Sequence, residues 1–356
     1  VKILMFAAAS SVHTLRWANA FADRGHQVTL VSLHEPLAGL SPKVKVHQLP
    51  YDRGTGYFRG RQEVQEIEQL FQPDVVNVHY ASGYGTLAGK LRSPIVMNVW
   101  GSDVFEFPDR SFLHRALLKK NIAKADHIVS TSHFMARRTQ QFLRLGQPLT
   151  VIPFGVETDR FKPVTKDEKI PVVGTVKTLS PKYGIDTLIQ AFALLRKLYP
   201  QEVKLRIIGD GPQRKELEEL VISLGIEDHV QMPGVISHDL VPSELARMDI
   251  FAALSRADSE TFGVAVIEAS SCGLPVVVSA AGGLPEVVKN RVTGHVVPIE
   301  DPVAAAKVLQ QLLIDMDLRD RLGDAGRKHV IENYSWPDCV DRMMDVFGSV
   351  TKDRAR

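Results

Sequence analysis

Residues 259–268 read SETFGVAVIE: two carboxylates, Glu260 and Glu268, seven residues apart, with the apolar runs DIFAAL before them and ASSCGLPVVVSAAGG after. Ser259 reads as an N-cap, and Gly263 as the start of a helix running through Val266 to Ser271, whose first amides form a ready anion site. In that frame Glu260 either complements the helix dipole, worth about 0.3–1 kcal/mol, or belongs to a binding site. Glu268 leaves less choice. Val264, Ala265, Val266, Ile267 and Ala269 make its helix apolar on nearly all sides. Such a helix is buried, and a buried Glu is seldom unpaired. It calls for hydroxyls, and a ribose offers two adjacent ones.

Two cations stand upstream. VGTVKTLSPKYG (173–184) places Lys177 at a strand end and Lys182 in a Ser-Pro turn ahead of a helix. They are either solvated loop lysines or a pair meeting over one anion, where charge-assisted bonds are worth roughly 1.5–3 kcal/mol each. In RIIGDGPQRKEL (206–217), Gly209 and Gly211 either admit a ligand to the backbone or simply make the turn. AAGGLPEVV (280–288) is a second Gly-rich turn. The dinucleotide fingerprint is absent: AAASSVHTLRW follows the first strand, and Glu35 falls late for a ribose contact. No P-loop or GxSxG elbow occurs. The triplet DMD (315–317) lies on a polar helix and reads as a solvated face, so no metal site is expected.

The elements that position these residues follow from hydrophobic periodicity. Strands are expected at 2–6, 27–33, 44–49, 74–79, 94–100, 127–132 and 149–154, with helical patterns between them, such as HTLRWANAFADRG (13–25). The pattern restarts with strands at 171–176, 204–209, 230–234, 249–254, 274–279 and 294–299, and helices near 184–198, 212–223, 239–247, 263–272 and 302–314. Strand-helix alternation means an α/β fold with parallel, doubly wound sheets. ETDRFKPVTKDEKI (157–170) reads as the linker. Two Rossmann-like domains would then face each other across a cleft, where ligands bind in open α/β folds. SWPDCVDRMMDVFGSV (335–350) closes the chain as an amphipathic helix, with Pro337 tolerated in its first turn.

Composition is that of a globular chain: 44% hydrophobic and 24% charged over 356 residues, room for two domains. No run of about 18 apolar residues occurs, so no membrane span is expected. The start VKILMFAAAS lacks the features of a secretory signal, and two cysteines, Cys272 and Cys339, make no framework. A cytoplasmic protein is the expectation. Net charge is +2, but residues 1–165 carry 20 Lys and Arg against 13 Asp and Glu, and the remainder 23 against 28. The first half is therefore expected to face something anionic, though basic-aromatic clusters are too few for nucleic acid. DRSFLHRALLKKNIAKAD (109–126) and GYFRGR (56–61) carry much of this charge. Contact with an anionic membrane surface and ordinary solvation both remain open for them.

Several motifs together are specific. VIPFGVETDRF (151–161), GDGP (209–212), Glu260-x7-Glu268, CGLPVVVSAAGGLPEVV (272–288) and TGHVVP (293–298) resemble, in order, the retaining glycosyltransferases of family 4 with the GT-B fold. RGHQVTLVS (24–32), VNVH (76–79) and WGSD (100–103) extend the resemblance to the first half. It implies an N-terminal acceptor-side domain over 1–163, a donor domain over 164–335, and a helix over 336–356 crossing back onto the first. It implies that Glu260 holds hydroxyls of the transferred sugar, and Glu268 the nucleotide ribose. Thr261, Phe262, Gly263, Val264 and Gly209 would line the donor site. Lys177, standing where the family usually has Arg, and Lys182 would neutralise the leaving diphosphate. Lysine keeps that charge but loses the bidentate fork.

The chain departs from the family in two places. AAASS (7–11), with Ser10 and Ser11, replaces a Gly-rich loop, and Trp100 stands where a His often precedes Gly-Ser-Asp. Trp100 is a donor only. His13 or His79 would substitute for that His, or both are structural. Asp103 is the candidate for positioning hydroxyls. The implied activity is hexosyl transfer, with retention and without a metal or other cofactor, from a UDP- or GDP-sugar to a glycan, lipid-linked or small-molecule acceptor. Cell-envelope glycan or glycolipid synthesis is the implied setting. A GT-B epimerase, a non-catalytic sugar-nucleotide-binding module and a Rossmann oxidoreductase are the rival readings; the missing fingerprint disfavours the last.

Overall fold

The apolar runs are continuous rather than alternating, as strands buried on both faces require. In the computed structural model, which describes residues 1–165 and 170–354, the chain divides into two compact units. Residues 1–154 and 337–356 make the first, residues 155–336 the second.

The first unit holds seven parallel strands: β1 (Lys2–Phe6), β2 (Gln27–Ser32), β3 (Val44–Gln48), β4 (Val75–His79), β5 (Ile95–Val99), β6 (His127–Ser130) and β7 (Leu149–Val151). Their order is β3-β2-β1-β4-β5-β6-β7. The second holds six: β8 (Val172–Val176), β9 (Lys204–Ile208), β10 (Val230–Gly234), β11 (Ile250–Ala253), β12 (Val276–Ser279) and β13 (His295–Val297), ordered β10-β9-β8-β11-β12-β13. Each sheet reverses its winding once, between β1 and β4 and between β8 and β11. Beyond the carboxyl ends of those strands, open α/β sheets bind ligands.

Every expected strand forms, several ending early for local reasons. β6 stops because Ser132 caps the next helix, His133–Gln140, its hydroxyl accepting the Met135 amide at 3.1 Å. The run 149–154 loses its ladder at Pro153, which has no N–H to donate. The helix expected over 239–247 is a 3-10 turn, His238–Leu240, followed by the short helix Val241–Leu245, with Pro242 at its start. The basic stretch 109–126 contains the helix Phe112–Ile122, whose cap Ser111 accepts the His114 amide at 3.3 Å. Asp315 of the DMD triplet is likewise a cap, accepting from the Leu318 amide at 2.9 Å.

One core centres on Phe6, Val78, Met97 and Ile128, the other on Leu188, Phe192, Ile207 and Leu309. The helix Trp336–Arg354 buries Val340, Met343, Phe347 and Val350. Its Phe347 ring lies 5.4 Å from Phe21. Of the segment read as a linker, residues 166–169 lie outside the described residues. Residues 157–165 are anchored within the second unit by Phe161, which is buried and whose carbonyl accepts from the Ser271 hydroxyl at 2.5 Å. The aromatic ring overrides the polar composition around it. Among the described residues no helix is long and apolar enough to cross a membrane, and no group of three or more His, Cys, Asp or Glu is arranged to hold a metal ion.

Candidate functional site

Lys177 directly follows β8, and Glu260 lies in the loop after β11, so the two stand on either side of the winding reversal in the second sheet. Their side chains meet: Lys177 Nζ is 2.5 Å from a Glu260 carboxylate oxygen, which also accepts from the Ser255 hydroxyl at 3.2 Å. The pair is largely withdrawn from water, with 18% of the lysine side chain and 9% of the glutamate side chain exposed. Burial alone pulls the ammonium down. The Glu260 carboxylate, with Tyr183 and Glu268, outweighs it and holds Lys177 above its ordinary value. Tyr183 lies between the lysines, its ring 4.4 Å from Lys177 Nζ and 5.0 Å from Lys182 Nζ. Two ammonium groups on one ring concentrate positive charge at the strand ends.

Glycines decide how closely these turns pack. Gly209 has φ 133°, and a Cβ there would sit 2.0 Å from the Lys177 carbonyl. A Cβ on Gly282 would sit 2.1 Å from the Glu260 carbonyl. The GDGP and AAGG turns are therefore buttresses pressed against the backbone of Lys177 and Glu260. Gly209 acts through the lysine turn, and the small residues after β12 fix the loop that carries Glu260.

The helix after that loop is Val264–Ser271, and its N-cap is Gly263 at φ 90°. Ser259 is not the cap, because the chain needs a left-handed residue to enter this helix. The first amides, from Val264 onward, belong to the turn that a helix leaves without intrahelical acceptors. Thr261 and Phe262 are buried beneath it, with the Phe262 ring 5.5 Å from Tyr334. Glu268 is 5% exposed, as the apolar helix required, and its partner is His238, with Nε2 at 2.9 Å. Arg160 holds that histidine, donating to its carbonyl at 2.7 Å.

In the first unit, His79 at the end of β4 is fully buried and accepts from Asn77 at 2.9 Å. Burial, with a smaller push from His13, lowers it to about 3, so it is neutral at ordinary pH. Trp100 packs edge-on against His79 at 4.9 Å, and His13 stacks on Phe154 at 4.2 Å. Ser11 and Tyr80 border a cavity of about 710 Å³ lined by residues of this unit alone, including Tyr57, Tyr84, Arg53 and Arg110. Ser10 is exposed.

The family described as Glycosyl transferases group 1 matches residues 156–329, and the one described as Glycosyl transferase 4-like matches residues 2–132. The N-acetyl-alpha-D-glucosaminyl L-malate synthase of Bacillus anthracis is 26% identical over 93% of this chain and 91% of its own length. The chain belongs to glycosyltransferase family 4. A GDP-mannose-dependent alpha-(1-6)-phosphatidylinositol monomannoside mannosyltransferase of Mycobacterium tuberculosis is 30% identical over 65% of this chain and 64% of its own, so the match spans under two thirds of that relative. Two solved structures establish the fold as GT-B. Sucrose-phosphate synthase from Thermosynechococcus elongatus superposes with TM-score 0.83 at 21% identity over 99% of both chains. Anabaena HepE, solved in complex with UDP, does so with TM-score 0.83 at 19% identity over 98% of this chain and 100% of its own. Both family descriptions are of glycosyltransferases, so the chain is a sugar-transferring enzyme.

Against that identity the candidate residues divide. Lys177 and Lys182 share the Tyr183 ring and Glu260 pairs with Lys177, with Gly209, Thr261, Phe262, Gly263 and Val264 in the turns beside them. His13, His79 and Trp100 share one aromatic cluster. Asp103 lies in the WGSD loop of the first unit. It is 1% exposed, and its carboxylate accepts the amides of Trp100 at 3.0 Å, Gly101 at 2.9 Å and Ala81 at 3.0 Å. Burial raises its pKa while those amides oppose the rise. Its oxygens hold the WGSD loop rather than presenting themselves to a hydroxyl. The sequence reading missed His238, Tyr183 and Ser255. Tyr183 lies within the stretch 173–184 and Ser255 directly follows the apolar run 249–254, whereas His238 lies 30 residues before Glu268 and carries no local signal.

Proposed function

We propose that this glycosyltransferase moves a hexose from a UDP- or GDP-sugar to an acceptor hydroxyl, with retention at the anomeric carbon and without a metal ion. The observation that carries the reading is the buried Lys177–Glu260 pair beside Lys182, at the strand ends where the sheet reverses. In the ligand-free chain Lys177 already has an anion. A donor diphosphate brings a second one, so Lys177 and Lys182 turn toward phosphate and the Glu260 carboxylate becomes available to sugar hydroxyls. Glu268 exchanges its histidine for the ribose diol. The C1–O bond to the leaving phosphate breaks as C1–O to the acceptor forms on the same face, and the acceptor proton passes to a phosphate oxygen.

The protein's part is electrostatic. Negative charge grows on the leaving diphosphate in the transition state, where fixed ammonium groups and the amides at Gly263 and Val264 stabilise it most. Removing one such donor typically lowers turnover by about 10²–10³. The donor class is supported by the relative named as GDP-mannose-dependent. Peripheral contact with an anionic membrane is supported by Phe112 and Leu113, 79% and 65% exposed beside the exposed Arg110, Lys119 and Lys120. Lys124 of the same stretch does not contribute, since it donates to the Gly85 carbonyl at 3.2 Å and burial lowers it to about 8. A cytoplasmic location and a role in cell-envelope glycan or glycolipid synthesis complete the proposal.

Thermal shift against UDP-, GDP-, ADP- and dTDP-sugars tests the donor, with an EDTA arm in the turnover assay for metal independence. Lys182→Ala should lower kcat far more than Glu268→Ala, which should mainly weaken donor binding. No shift with any sugar nucleotide, or the reverse ranking, refutes the assignment. Sedimentation with anionic vesicles at low salt tests the membrane contact, and protein left in the supernatant removes it.

A further inference from the structure

The cavity of about 710 Å³ in the first unit has no role in the chemistry above. It lies at the winding reversal of its sheet, since Ala8 and Ser11 follow β1 while Tyr80 and Ser82 follow β4. Open α/β sheets bind ligands at that place. Its volume falls within the range of small-molecule sites and well above that of a lone ion.

The charge on its wall is one-sided. Arg53, Arg110, His34 and His114 line it, and no carboxylate does. Each arginine has an aspartate just before it in sequence, and each aspartate is engaged elsewhere. Asp52 turns back on its own loop, accepting from the Gly54 amide at 2.7 Å, the Thr55 amide at 2.8 Å and the Thr55 hydroxyl at 2.5 Å. Both oxygens of Asp109 accept from one guanidinium nitrogen of Arg138, at 2.9 and 2.7 Å. Among the described residues neither the Arg53 nor the Arg110 guanidinium forms an ion pair or side-chain hydrogen bond. Two guanidinium groups without counter-ions, facing one cavity, match the geometry in which arginine recognises phosphate or carboxylate.

The rest of the wall is fixed and amphipathic. The Tyr84 hydroxyl accepts from the Leu33 amide at 3.2 Å and bonds His34 Nδ1 at 2.9 Å, while Tyr57 packs edge-on against it at 5.2 Å. Aromatic faces and hydroxyls together suit a polyol skeleton better than a bare anion.

We propose that this cavity takes the acceptor, and that the acceptor carries a phosphoryl or carboxylate group held between Arg53 and Arg110. The inference rests on the glycosyl-transfer reading above. The anionic group belongs to a free small molecule or to a lipid head group, which offer the same chemistry.

The test is calorimetric binding to the full chain at low salt, using glycerol 3-phosphate against glycerol, glucose 6-phosphate against glucose, and glycerate. A lipid arm uses phosphatidylglycerol in phosphatidylcholine vesicles. Anionic probes should bind about tenfold or more tightly than their neutral partners, with the advantage shrinking as salt rises. Arg53→Gln and Arg110→Gln should each erase most of that advantage. Arg59→Gln should leave it intact, because that guanidinium lies over the Tyr51 ring at 5.3 Å. Binding by the free probes identifies a soluble acceptor, and binding by vesicles alone a lipid one. Equal binding of neutral and anionic probes, no binding by any, or Arg53 and Arg110 variants that match Arg59→Gln would overturn the proposal. A sugar-nucleotide shift on the same samples separates the two readings: with the shift present and the anion preference absent, only this inference falls.

Discussion

Lys177→Met and Glu260→Gln, singly and together, test whether the buried pair organises the second unit. Lys177→Met leaves a carboxylate that is 9% exposed with the Ser255 hydroxyl as its remaining partner. Breaking a buried pair from one side costs about 3–5 kcal/mol, and the serine bond places this variant near the lower end. Glu260→Gln strands an ammonium, which can shed its proton, so about 2 kcal/mol is expected. The double variant replaces two charges with neutral groups of similar volume and should cost about 1–2 kcal/mol. The coupling is then about 3 kcal/mol. Hydrogen exchange read on peptides covering β8 and β11 reports the opening free energy of this unit alone. Additivity within about 0.5 kcal/mol would refute the coupling.

The same pair has a pH signature. Lys177 is held above its ordinary value, so in the wild type its contribution is fully present below the unfolded lysine pKa and is lost only as pH rises through the higher folded one. In Glu260→Gln burial is opposed only by the weaker pull of Tyr183 and Glu268, and the folded value is expected to fall below the unfolded one. The unfolded chain then binds more protons, and the variant should gain stability as pH rises from neutral toward about 10. A variant that tracks the wild type over that window contradicts the assignment.

Three further outcomes are expected. Gly209→Ala puts a Cβ 2.0 Å from the Lys177 carbonyl at a left-handed φ, so it should displace the lysine turn, and donor affinity measured by calorimetry should fall by about tenfold or more. His79 enters the fold neutral at a pKa of about 3, so below the unfolded value near 6.5 the unfolded chain takes up the proton. Stability should then fall by about 1.4 kcal/mol per pH unit, a slope that His79→Gln removes from melting curves taken between about pH 7 and 5. His238→Ala takes away the group 2.9 Å from buried Glu268 and should destabilise the ligand-free protein by about 1–3 kcal/mol. A saturating sugar nucleotide should give this variant a larger thermal shift than the wild type, because the ribose restores a partner; an equal shift contradicts that exchange.

The strand-helix alternation was legible in the sequence because it is local. Continuous Val- and Ile-rich runs such as KILMF and VVGTV need only their own residues to declare buried parallel strands, and all thirteen strands appear within a few residues of expectation. Burial of Glu268 was legible for the same reason, since the apolar helix around it is contiguous in sequence. The partner was not. His238 lies 30 residues away, and the Arg160 that holds it 78 residues farther back. Asp103 is a conspicuous acid whose carboxylate accepts from three backbone amides, which no residue letter records. Arg53 and Arg110 face one cavity only because Asp52 and Asp109, their neighbours in the chain, are bonded elsewhere. Which residues are buried and which segments fold into strands and helices was settled by patterns a few residues long. Which charges are paired and which are left for a ligand was settled by packing across tens of residues, because a charge's partner is whatever the fold brings within about 3 Å of it.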